Sequence, residues 1–206
     1  MSTLDQILQN NSLVWTIVGI LASITFFGAI IWLIIASRKP PEDRLVENII
    51  MELSQDYMRD VVLSDGLYGY YFIDYLILLP GRIVMLGLEH LDGYIFGSEH
   101  VEQWAQVLNK KSKNFPNPLL SLDLYLQSIQ TILPGIQLVG RVVFTSQCEF
   151  PKGTPKGVIR LDCLHRELEK LQDGTNTDKN IQYFWDQLIE ITKHDKQRYI
   201  QEDKVA

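Results

Sequence analysis

Within residues 70–79, YYFIDYLILL, one side chain departs from an otherwise apolar run: Asp74. The run is apolar on both parities, as in a strand covered on both faces. A lone carboxylate in such a strand is costly unless it is paired or bound to a metal. Pro80-Gly81 is a turn signal, and residues 83–90, IVMLGLEH, read as the returning strand. With Pro80 and Gly81 as the central turn residues, Leu79 meets Arg82, Ile73 meets Leu88, and Asp74 faces Gly87. Glu89 then lies on the Asp74 face, one diagonal away. That diagonal is roughly 7–8 Å between backbones, close enough for two carboxylates to converge on one divalent cation such as Mg²⁺ or Mn²⁺. The same register sends Leu91 to the Asp74 face and His90 to the opposite one. The residues alone leave two readings open: a metal-gathering pair, or a structural Asp74 matched with a buried cation or a backbone donor.

The elements that must position this hairpin follow from periodicity. Pro41-Glu42-Asp43 opens a helix, with proline early and acids at the positive end of the dipole. Leu45, Ile49, Ile50, Leu53 and Tyr57 continue one apolar stripe to about residue 58. Residues 93–97, GYIFG, look like a further strand, and 110–118 read as a polar loop with three lysines, Lys110, Lys111 and Lys113. Leu119, Leu122, Leu126, Ile129 and Leu133 space a helix with one buried face. Residues 138–144, LVGRVVF, form a strand. A helix near 161–171 and a last one from about 178 to 195 follow, the latter carrying Ile181, Phe184, Trp185, Leu188 and Ile191, and the charged tail beyond His194 reads as frayed. The order is that of an α/β domain with a mixed sheet.

The 206-residue chain has a formal charge of −6, and residues 40–206 alone carry 17 basic and 24 acidic side chains. Such a domain lacks the basic footprint of a strong phosphate-backbone binder. Cys148 and Cys163 form no metal-ligand pattern and read as buried, reduced thiols. Residues 13–37 contain no charge and are long enough, at about 1.5 Å per residue, to cross the roughly 30 Å core of a bilayer. After a leader of residues 1–12, they are expected to form a single transmembrane helix. Arg38, Lys39 and Arg44 on its C-terminal flank put the following domain in the cytoplasm and the N-terminus outside, as at a bacterial inner membrane. Gly19 and Ser23 have the spacing of a helix-dimer contact.

Residues 42–145 resemble the NERD family, the nuclease-related domain. The resemblance rests on the helix carrying Glu47, on residues 72–97 (FIDYLILLPGRIVMLGLEHLDGYIFG), on Trp104 and Phe115-Pro116-Asn117-Pro118-Leu119, and on residues 140–146 (GRVVFTS). It implies a restriction-endonuclease-like fold over residues 40–172, with residues 173–206 as a C-terminal helix and charged tail. It also implies a site of an Asp, then Glu-x-Lys on the next strand, a Gln on the following helix and an upstream Glu. Asp74, Glu89 and Glu47 fit the acidic places. Leu91 stands where the lysine is expected, and Ser121 where the glutamine is.

Metal-assisted phosphodiester hydrolysis would use the carboxylates to hold Mg²⁺ and the lysine to orient water. Losing one such group typically costs 10² or more in rate, and two are replaced here. The expectation is therefore a membrane-anchored, catalytically decayed domain that binds a protein, a second copy or, weakly, a nucleic acid. The alternatives are a working nuclease that uses Asp74, Glu89 and a displaced lysine, and a structural subunit of a membrane complex.

Overall fold

The computed structural model describes residues 41–66, 69–144, 147–172 and 180–203. Residues Glu42–Ala206 cluster as one compact unit. Helix α1 (Pro41–Leu53) leads into β1 (Asp56–Ser64), β2 (Tyr70–Leu79), β3 (Arg82–Glu89), β4 (Gly93–Phe96), β5 (Gln103–Leu108) and β6 (Lys111–Pro116). Then come α2 (Pro118–Ile132), β7 (Leu138–Phe144), β8 (Cys148–Glu149), β9 (Val158–Arg160), a 3₁₀ turn (Leu161–Cys163), α3 (Leu164–Gln172) and α4 (Ile181–Asp203).

Five strands form one sheet in the order β1-β2-β3-β7-β9, and four form a second in the order β6-β5-β4-β8. The β2–β3 ladder runs from Leu79 opposite Arg82 to Tyr75 opposite Leu86, the register expected from the Pro80-Gly81 turn, but it stops there, and the expected pairs Asp74–Gly87 and Ile73–Leu88 are not part of it. Gly81 has φ +82°, the left-handed conformation that glycine adopts without a Cβ clash. β7 adds in parallel to β3, placing Val142 beside Gly87 and Phe144 beside Glu89.

The large sheet is covered on both sides. Val46, Ile49 and Ile50 of α1 and Leu164 and Leu168 of α3 join Ile77, Leu79, Val84 and Leu86 in one core. Leu119, Leu122 and Ile129 of α2 and Trp185 and Leu188 of α4 join Ile73, Leu76, Leu78, Met85 and Trp104 in the other. Trp104 stacks on Phe144 at 6.0 Å between ring centroids, which ties the small sheet to the large one.

Three local expectations change. The helix stops at Leu53 instead of running to residue 58, and the chain turns into β1, where Tyr57 pairs with Ile77 and still packs on the α1/α3 core. The lysine-bearing segment is β6 instead of a loop, closed onto β5 by a turn with Asn109 and Lys110 at φ +51° and +63°. That left-handed pair is the hairpin geometry usually marked by Asn-Gly. The last helix continues to Asp203 because β1 and β2 hold it: Tyr70 donates to Glu202 at 2.7 Å, and Tyr199 packs edge-on against both Tyr70 and Phe72.

One expectation about the fold class is corrected. Among the described residues, no helix is long and apolar enough to cross a membrane. The architecture of the described residues is a mixed α/β fold of sheets and helices. The longest described helix, α4, has 23 residues but carries charges throughout, and a bilayer demands about 20 predominantly apolar ones. The expected span at 13–37, with its Gly19/Ser23 contact, lies outside the described residues, as does the leader.

Candidate functional site

Asp74 lies where two ladders let go. Pairing of β1 with β2 steps from Arg59–Tyr75 to Val61–Ile73, leaving Asp60 and Asp74 between them, and pairing of β2 with β3 ends at Tyr75–Leu86. Asp60 has φ +50°, a conformation that costs a non-glycine residue free energy but that Asp tolerates better than most. Ile73 belongs to the α2/α4 core while Tyr75, two residues on, belongs to the α1/α3 core, so strand alternation breaks at Asp74. The Asp74 carboxylate takes over the role of a ladder acceptor: Oδ2 receives the Leu88 backbone N–H at 2.7 Å. Of the two readings left open by the sequence, the backbone donor is the one the geometry contains.

Beside this bond, β2, β3, β6, β7 and α2 enclose a cavity of about 330 Å³. Asp74, Glu89, Leu91 and Ser121 all line it, with Gly87 and Leu88 of β3, Phe72, Phe115, Leu122 and Tyr125 among the rest. Among the described residues, no lysine, arginine or histidine does. Leu91 thus lies with the two acids, as expected, and His90 points elsewhere, to Asp43, its Nε2 3.3 Å from that carboxylate.

Glu47 is placed elsewhere. It meets Arg59 at 3.4 Å and accepts from the Tyr57 hydroxyl at 3.5 Å, on the α1 side, and it is not part of the cavity wall. Neither Lys111 nor Lys113 reaches the cavity, and Lys110 lines a separate recess with Tyr94 and Glu149. Among the described residues, none of these three lysines lines the cavity that holds the carboxylates.

Desolvation in this recess pushes the Asp74 carboxyl up from its ordinary range, against the opposing pull of the Leu88 hydrogen bond and of His90. Glu89 is raised first by desolvation and then by the negative charge of Asp74. Glu89, raised by burial and by the Asp74 charge, therefore holds its proton more tightly than a free carboxylate does. Burial also raises the Tyr125 phenol, with Tyr71 and Asp74 adding to the shift.

Among the described residues, no three His, Cys, Asp or Glu side chains gather to hold an ion, and one Asp74 oxygen already serves Leu88. The chemistry visible here is that of a small, largely apolar recess with two carboxylates on its wall.

The sequence reading did not single out Asn117. It is almost fully buried, accepts the Leu119 N–H at 2.9 Å as the cap of α2, and donates to the carbonyls of Ser98, Glu99 and Val101. This one side chain anchors the β4–β5 loop to the start of α2, the turn that presents Ser121 to the cavity. An Asn immediately before Pro-Leu-Leu is the signal that was available, since Asn caps and Pro opens helices.

Comparison with known proteins places this geometry in context. An uncharacterized protein of Bacillus anthracis is 19% identical over 129 residues, 60% of this chain and 61% of that one, so the chain spans less than two thirds of its relative's length. The family model described as the nuclease-related domain matches residues 41–145, which include α1, the β2–β3 hairpin, the start of α2 and β7. The chain belongs to the NERD, or nuclease-related domain, family.

Proposed function

We propose that this domain has lost efficient phosphodiester cleavage and acts as a binding module through the recess that a nuclease would use for catalysis. The observation that carries this reading is the composition of one cavity wall. Leu91 and Ser121 share the wall with Asp74 and Glu89, and no cationic side chain joins them among the described residues. An ammonium that orients water and an amide that supports it are therefore replaced by a hydrocarbon and a short hydroxyl, at the place where charge would develop. The acid-rich composition of the chain agrees, because it offers little to hold a polyanion.

Thermal unfolding of the full-length chain with and without millimolar Mn²⁺, beside Asp74→Asn, tests the reading. A ligand that binds only the folded state raises its midpoint. The expected result is no metal-dependent rise in either protein. A rise confined to the wild type would support the runner-up, a metal-dependent nuclease built on Asp74 and Glu89.

A further inference from the structure

We propose that the cavity receives a primary alkylammonium group, with Asp74 and Glu89 holding its charge and Leu91, Leu122, Phe72 and Tyr125 enclosing its methylenes. This inference rests on the binding-module reading and names the chemistry of its ligand.

Volume comes first: about 330 Å³ lies at the small end of ligand sites, the size for one side chain or a small molecule. Charge comes second. Two carboxylates face the space, Glu89 has neither a hydrogen bond nor an ion pair among the described residues, and Asp74 spends one oxygen on Leu88. An anion would meet two like charges here. A neutral apolar guest would strip water from both acids and return nothing. An ammonium offers three donors and a full charge in the volume of a methyl group, and charge-assisted bonds of that kind are the strong ones.

The mouth is a separate observation. Phe72 lines the cavity yet leaves 58% of its surface exposed, and Tyr199 of α4 stands edge-on to it at 5.4 Å. Tyr70 continues this aromatic lip at 5.2 Å from Tyr199. An exposed aromatic rim beside an acid-lined, partly apolar recess is the arrangement that favours an organic cation, through ring faces at the rim and the carboxylates of Asp74 and Glu89 on the wall.

The test uses the full-length protein, n-butylammonium chloride and n-butanol, with the Gly87 and Leu88 amide resonances followed by ¹⁵N–¹H NMR. Saturable shifts at these amides with butylammonium and none with butanol are expected. A blocked tripeptide containing one lysine is titrated in parallel, and whether it binds tighter or weaker than the free amine identifies a protein side chain or a small amine as the natural source. Glu89→Gln should weaken butylammonium binding roughly ten-fold or more, the effect of one charge-assisted bond.

Two variants address the cavity itself. A Cβ at Gly87 meets nothing within 4 Å, so a side chain can start from this position into the cavity, and Gly87→Val should abolish the shifts. Leu91→Lys supplies an internal ammonium and should abolish them as well. Equal binding of butanol and butylammonium, no binding of either, or undiminished binding in Gly87→Val overturns the proposal. Those results in a protein that does not cleave nucleic acid leave the binding-module reading intact, whereas metal-dependent cleavage overturns that reading instead.

Discussion

Asp74 Oδ2 accepts the Leu88 backbone N–H at 2.7 Å, two residues past Leu86, where the β2–β3 ladder ends. A side chain has replaced a main-chain acceptor, and the strands part at the point where the cavity opens. This bond gives the acid a structural task independent of catalysis.

Removing the charge and removing the acceptor should therefore differ. Asp74→Asn keeps an oxygen for Leu88 while discarding a desolvated charge, and it should be at least as stable as the parent in urea unfolding. Asp74→Ala leaves the amide to water and should be less stable than the Asn variant by about 1 kcal/mol. Equal stability of the two variants would show that the bond contributes nothing.

The pH dependence follows from the direction of both shifts. Asp74 and Glu89 are raised by desolvation, so between their unfolded values, about 3.9 and 4.3, and their higher folded values the folded state binds more protons. Stability contributed by these groups is then present at low pH and lost as pH rises through that window. His90, Asp60 and Asp43 also act on Asp74, the first opposing the shift and the others adding to it. Midpoints of wild type and Asp74→Asn, measured from pH 7 down to pH 4, should converge as pH falls. A gap that widens on acidification would reverse the assigned direction.

Restoring the two missing groups is the constructive test. Leu91→Lys with Ser121→Gln places an ammonium and an amide on the wall that already holds Asp74 and Glu89. Metal-dependent cleavage of a labelled oligonucleotide should rise by about 10² or more over the parent if those positions hold the deficit. Unchanged inactivity in a folded double variant would place the deficit elsewhere.

Helix α4 lies outside the family match, yet it is bonded along β1 and β2. Trp185 Nε1 donates to Asp56 at 2.9 Å, Asp195 accepts the Ser64 N–H at 2.9 Å, and Tyr199 reaches Phe72 at the cavity mouth. Trp185→Phe should cost about 1.5–3 kcal/mol, the range for a bond to a charged group, and should speed hydrogen exchange across β1. Loss of stability without faster exchange in β1 would mean that α4 does not clamp that edge.

Much of this was legible in particular residues. Pro80-Gly81 pinned the hairpin register from Leu79–Arg82 to Tyr75–Leu86, because a two-residue turn leaves no freedom in pairing, whereas the break in alternation at Asp74 is not encoded by the turn. The leucine spacing located α2, and the stripe from Ile181 to Ile191 located the buried face of α4. The β5–β6 hairpin was hidden because Asn109-Lys110 adopts left-handed angles without a glycine to announce them. β1 was hidden because Tyr57 prolongs the helical spacing of α1 into a strand that buries the same ring. Glu47 was grouped with the other acids by resemblance, and its engagement with Arg59 is a tertiary fact that no local pattern encodes.

The most direct measurement is single-turnover cleavage by the full-length protein, in excess over labelled single- and double-stranded DNA and RNA, with Mg²⁺ or Mn²⁺. The expected result is no metal-dependent cleavage beyond that of an Asp74→Asn/Glu89→Gln control. Cleavage that requires metal and disappears in that control would contradict the decay of the site and make this chain a working nuclease.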